Sequence, residues 1–163
     1  MKLKQHILYG GVASLCLVPK FGLLSSVFWA ASVLIDIDHY IDFVYRNQCT
    51  SLGIKKMFAY YDILADWKDK PNLLVLCVFH TIETMTGIYL ISVWMNSDVI
   101  KAVFYGMVFH LILDIICMLR DRCLFLRVFS LIEYIIRRKL MIRDRLSPKK
   151  EYDAMIVAGK KRF

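Results

Sequence analysis

The chain has 163 residues, 58% of them hydrophobic, with a mean hydropathy of +0.51 and only three prolines and seven glycines. These values exclude collagen-like and Pro/Gly-rich disordered chains. They point to an all-α integral membrane protein, a bundle of about four membrane helices with interfacial amphipathic helices. Charge is uneven: residues 120–163 carry thirteen Lys/Arg against five Asp/Glu, the whole of the net +8, while nine of each sign cancel in residues 1–119.

In chain order, the first apolar segment runs from Ile7 to Val18 and is broken by Pro19-Lys20. Lys2 and Lys4 ahead of it resemble a signal peptide, but no small-residue cleavage site follows, so the segment reads as retained. The second runs from Phe21 to Ile35 and continues through an acidic cluster to about Tyr45. Both fall short of the roughly 20 residues of a full span. Residues 46–70 are polar and mixed, with an amphipathic stretch from Ile54 to Trp67 suited to an interface. Pro71 starts a third helix that runs to about Trp94. A turn at residues 95–98 leads to a fourth helix from Val99 to Leu119. Phe125 to Leu140 reads as a basic amphipathic helix, and the last twenty or so residues as polar and loosely ordered. Residues 1–140 therefore form one helical membrane domain, and residues 141–163 a basic cytoplasmic tail.

Loop charge gives a topology. Lys2, Lys4, the loop with Lys55, Lys56, Lys68 and Lys70, and the basic tail share the cytoplasmic side; the 95–98 turn, without Lys or Arg, lies outside. Lys20 is the exception. This places a multi-pass protein in the cell inner membrane with both termini cytoplasmic, and membrane lipid as its partner. Charge alone is a weak sign of nucleic-acid binding, and none is expected. The five cysteines, Cys16, Cys49, Cys77, Cys117 and Cys123, form no Cys-x-x-Cys pair, which disfavours a zinc–thiolate site and a disulfide framework.

All four histidines fall in apolar stretches with acids at hand. His6 opens the first segment. His39 ends the run Asp36-Ile37-Asp38-His39, and Asp42 follows. His80 precedes Glu83 by three residues and His110 precedes Asp114 by four, so on helices each pair shares a face, about 60° and 40° apart. With His80 nine residues from Pro71 and His110 ten before Arg120, the two lie at similar depth in antiparallel helices. Carboxylates gathered in a nonpolar setting repel and take up protons unless cations neutralise them. A nitrogen–oxygen donor set suits zinc, and also manganese or iron. Paired ions favour phosphoester hydrolysis by metal-activated water. The plainer reading of any one such histidine is a helix–helix hydrogen bond.

The order His6, Asp36-Ile37-Asp38-His39, His80, His110-x-x-x-Asp114 resembles the membrane-bound metal-dependent hydrolase family of small inner-membrane proteins. That family is itself distantly similar to zinc-dependent phospholipase C and the P1-type nucleases. The resemblance covers residues 6 to 114. It implies one to three divalent ions, zinc first, on His6, Asp36, Asp38, His39, His80, Glu83, His110 and Asp114, and a phosphoester or phospholipid substrate. Glu83 and Asp38 are the candidate catalytic carboxylates, Glu83 being either a ligand or the general base. Two positions depart from the family pattern: Leu34-Ile35 replaces the usual proline, and Leu74-Val75-Leu76 stands where many members have His-Arg. Two rival readings remain, a non-catalytic metal-binding membrane protein and a small ion or proton transporter. Substrate and oligomeric state are open.

Overall fold

A computed structural model of the chain describes residues 3–67, 74–146 and 153–158. The expected helix start at Pro71, the loop charges Lys68 and Lys70, Lys2, and residues 147–152 and 159–163 of the basic tail lie outside the described residues. The described chain is mostly helical and falls into two compact units: residues 1–36 with 78–124, and residues 37–77 with 125–163.

The first unit is built from α1 (Leu3–Phe21), α2 (Leu24–Leu34), α5 (Ile82–Trp94) and α6 (Asp98–Arg120). The break expected at Pro19 does not occur there. Proline falls in the last turn of α1, and the helix ends at Gly22, whose φ of 54° is the left-handed cap that glycine adopts most readily. α2 packs against both α1 and α6, and α5 packs on α6. Small residues permit these approaches. A Cβ at Gly10 would sit 2.5 Å from the Ser32 hydroxyl, and one at Gly106 would run into the Phe28 carbonyl. Ser14 donates across to the Ser25 carbonyl at 2.7 Å, and the Trp29 indole to the Ile7 carbonyl at 3.1 Å. Such contacts hold helices together where apolar burial gives little drive.

The usual partition of side chains is inverted in this unit. Its interior holds His6, Ser14, Ser25, Ser32, His80, Ser92, His110 and Asp114, with a small apolar cluster of Ile35, Met85 and Met107. Leu8, Leu15, Leu23, Leu90, Trp94, Ile112 and Ile116 face outward. Among the described residues, α6 alone is long and apolar enough to cross a membrane. At 11 and 13 residues, α2 and α5 fall short of the roughly 20 a full span needs. The helical class holds, while the four-span arrangement goes beyond what these lengths carry.

Two further boundaries differ from the sequence reading. The second helix does not run on to Tyr45. The chain turns at Ile35-Asp36, where Asp36 N bonds back only three residues to Val33, and α3 begins at Ile37. The third helix starts late: β1 (Val75–Leu76) and a 3-10 turn (Val78–His80) precede it, and Thr81 caps α5 by accepting from Thr84 N.

The second unit contains α3 (Ile37–Arg46), α4 (Ile54–Asp66), β1, β2 (Arg127–Val128) and α7 (Leu131–Arg143). β1 and β2 pair in parallel, Val75 with Arg127 and Leu76 with Val128. Its core joins Phe43, Met57, Tyr60, Ile63 and Leu64 to Val75, Cys77 and Met155. The expected helix from Phe125 instead begins at Leu131, because a 3-10 turn and β2 take up the preceding residues and Ser130 supplies the cap. The far tail is not all loose: residues 153–158 are helical, and Met155 is fully buried in that core.

Candidate metal centre

Helix α1 carries His6 and α6 carries His110 and Asp114 one turn apart, while the 3-10 turn before α5 carries His80. None of these four side chains is more than 2% exposed. Asp36, at the turn that ends α2, is the more open member of the group, with its side chain 16% exposed. The turn bearing His80 is held by two hydroxyls, since Thr81 and Thr84 both donate to the Val78 carbonyl at 2.8 Å.

His110 is the hub. Its Nδ1 lies 2.7 Å from the Ser32 carbonyl. A carbonyl oxygen only accepts, so Nδ1 carries a proton, and loss of any second ring proton would present the lone pair at Nε2. That Nε2 is 3.2 Å from Nε2 of His80, 3.3 Å from Oδ1 of Asp36 and 3.6 Å from Oδ2 of Asp114. The other Asp114 oxygen is 3.1 Å from Nε2 of His6. The His6 ring stacks on that of His110 with centroids 3.8 Å apart, and His80 meets it edge-on.

Within the first unit two sets of donor atoms thus converge, each within 4.8 Å: Asp36, His80 and His110, and His6, His110 and Asp114. They fit a divalent ion on three grounds. A tetrahedral ion with bonds of about 2.0–2.1 Å holds neighbouring donors about 3.3 Å apart, close to the His80–His110 and His110–Asp36 separations. Metal-binding imidazoles characteristically donate their second ring N–H to a carbonyl or carboxylate, as His110 does to Ser32. His6 Nδ1 is buried without a hydrogen-bond partner among the described residues, a state that costs free energy unless some group meets it. The donors in these two sets are nitrogen and oxygen only, which leaves the metal's identity open among zinc, manganese and iron.

The remaining expected ligands belong to neither of these two sets. Glu83 lies in the first turn of α5 and belongs to none of the convergent sets. His80 is not on the helix with Glu83, so the helical spacing that paired them does not apply. Asp38, His39 and Asp42 are on α3 in the second unit. There, Arg127 Nη2 donates to His39 Nε2 at 3.2 Å, which leaves the ring proton on Nδ1, 3.5 Å from the Cys77 sulfur. Both ring nitrogens of His39 are therefore engaged by side chains of its own unit. Asp42 accepts from Arg46 Nε at 2.8 Å and has the Tyr61 hydroxyl at 3.1 Å. Burial raises the Asp42 carboxyl above its ordinary range, although Arg46 and Tyr61 pull the other way. Burial also raises the Tyr61 phenol well above its usual value, aided by the charge of Asp42.

Sequence reasoning missed the Ser32 carbonyl, the pairing of His39 with Arg127, and the role of Cys77 beside it. A backbone acceptor leaves no mark in a sequence. Two-residue strands carry no periodicity by which the β1–β2 pairing could be foreseen.

No protein-family model, no curated protein and no solved structure matches this chain.

Proposed function

We propose that this protein is a membrane-embedded, metal-dependent hydrolase of a phosphoester, with a lipid phosphoester as the favoured substrate class. The observation that carries this reading is the convergence of Asp36 and His80 on the Nε2 of a His110 already oriented by the Ser32 carbonyl. His6, Asp36, His80, His110 and Asp114 would hold the ion or ions. A bound divalent ion supplies Lewis acidity toward a phosphoryl oxygen and lowers the pKa of water. Asp36, at the more open edge, is where a substrate oxygen would approach, and Glu83 is the carboxylate assigned as general base. The polar interior and apolar exterior of the first unit support burial in lipid, since ionisable residues in such a setting are costly and concentrate at functional sites. The order of these motifs, which resembles that of membrane-bound metal-dependent hydrolases, adds the reaction class by analogy.

The test is elemental analysis of detergent-purified protein, followed by assay of the metal-loaded protein on phosphomonoester, phosphodiester and phospholipid substrates. Stoichiometric zinc, manganese or iron with metal-dependent turnover is expected. Protein that purifies and refolds without binding any of these ions sinks the reading.

A second reading, a non-catalytic metal-binding membrane protein, is favoured by the near-complete enclosure of His6, His80, His110 and Asp114. Metal bound without turnover on any of those substrates would select it.

A further inference from the structure

Helix α7 has a surface unlike that of the other described helices. None of its residues is buried. Its exposed positions are five aliphatic side chains, Ile132, Ile135, Ile136, Leu140 and Ile142, and three cations, Arg138, Lys139 and Arg143. The one acid of the helix is turned to internal use. Glu133 accepts from Phe129 N at 3.0 Å and from Arg137 at 3.1 Å, and Arg137 also donates to the Phe125 carbonyl. Glu133 and Arg137 thereby satisfy each other and the preceding turn. What faces outward along the helix is aliphatic and cationic, and the exposed Asp144 just past its end pairs with Arg143 at 3.2 Å.

Such a surface has one well-matched environment. Bulk water leaves five aliphatic side chains exposed, and the bilayer core leaves three charges unsolvated. The headgroup layer of an anionic bilayer takes both, because long Lys and Arg side chains reach the phosphates while neighbouring aliphatics enter the acyl boundary. The surrounding sequence has the same sign, since residues 120–163 hold the whole net charge of the chain.

We propose that α7 is an anionic-lipid recognition helix, lying in the headgroup layer with Arg138, Lys139 and Arg143 on lipid phosphates and Ile132, Ile135, Ile136 and Ile142 among the upper acyl carbons. This assignment is independent of the metal centre and stands or falls separately from hydrolysis. Near a membrane carrying acidic lipid each cation strengthens attraction about fivefold, so three give on the order of a hundredfold preference over a neutral surface.

The experiment is hydrogen exchange of the full chain in nanodiscs of phosphatidylcholine alone and of phosphatidylcholine mixed with phosphatidylglycerol. Amide exchange across residues 131–143 is expected to slow by on the order of tenfold or more in the anionic discs. The slowing should vanish in the Arg138→Glu/Lys139→Glu/Arg143→Glu variant. In the unmodified chain it should weaken as salt is raised from about 0.1 M to about 1 M, which shortens the screening length from about 10 Å to about 3 Å. Equal exchange in the two bilayers overturns the proposal, as does slowing that survives in the triple variant. Protection that instead rises with protein concentration assigns the surface to a second copy of the chain and also overturns it.

Discussion

The Nδ1 of His110 donates to the carbonyl of Ser32 at 2.7 Å, joining α6 to α2 across 78 residues of sequence. This bond fixes which nitrogen of His110 is free to act. Through that nitrogen His110 belongs to both donor sets of the first unit. His110→Ala should therefore abolish metal binding, and metal content by elemental analysis should fall to background. His39→Ala should leave the content of the first unit unchanged, because its ring is engaged by Arg127 and Cys77. Equal loss in both variants would show that the donor sets are wrongly drawn.

Asp114 faces His6 through one oxygen and His110 through the other. Removing one partner from a buried polar set typically costs about 3–5 kcal/mol, because the groups left behind are neither hydrated nor paired. Asp114→Ala should accordingly lower thermal stability by several degrees and weaken metal affinity. Asp114→Asn keeps the shape and an acceptor oxygen while losing the charge, so it should be milder in stability yet still impaired in binding. Thermal unfolding with and without added zinc separates the two effects. An Asn variant that binds metal as tightly as the parent would remove Asp114 from the ligand set.

Chelation provides a check that needs no substitution. A ligand bound only to the folded state stabilises it by about 2.7 kcal/mol at a hundred times its dissociation constant. Stripping metal with a chelator should lower the midpoint of thermal unfolding, and re-addition should restore it. Acidification should mimic chelation, because imidazole and carboxylate must be deprotonated to bind. A midpoint unmoved by chelator in protein that held metal would mean that the ion sits elsewhere.

Glu83 tests the proposed chemistry apart from binding. It opens α5 and stands outside the convergent donor sets. Glu83→Gln should then retain metal while hydrolysis falls by about 10²–10⁴-fold, the usual contribution of a positioned base. If metal is lost along with activity, Glu83 is a ligand and the base lies elsewhere.

Some of this arrangement was legible from the residues alone and some was not. His110 and Asp114 are four apart on a continuous helix, where sequence spacing converts directly into shared direction. His80 and Glu83 looked equivalent, but the chain is not α-helical at His80. Thr81 caps α5 just after it, so helical spacing had no meaning there even though His80 still arrives beside His110. The Asp36-Ile37-Asp38-His39 run looked like one cluster. The turn at Ile35-Asp36 separates Asp36, at the end of α2, from Asp38 and His39 on α3. Apolar segments of 11 to 13 residues announce helices but do not state whether each crosses a bilayer.

The packing that brings α2 to α6 rests on Gly106, and it separates tertiary contact from intrinsic helix propensity. A Cβ at Gly106 would meet the Phe28 carbonyl, which is backbone and cannot rotate aside, and would sit 3.0 Å from the Ala31 Cβ. Gly106→Ala should therefore force the two helices apart and cost about 1–3 kcal/mol, the usual range for overpacking. Because α2 also carries the Ser32 carbonyl, the same change should weaken metal binding through His110. Gly87, in the middle of α5, has open space where a methyl would stand, with nothing within 4 Å. Gly87→Ala should thus stabilise by about 0.5–1 kcal/mol through helix propensity alone. Thermal unfolding of the two variants side by side decides the matter. If Gly106→Ala were as well tolerated as Gly87→Ala, α2 and α6 would not approach this closely, and the geometry at His110 would lose its support.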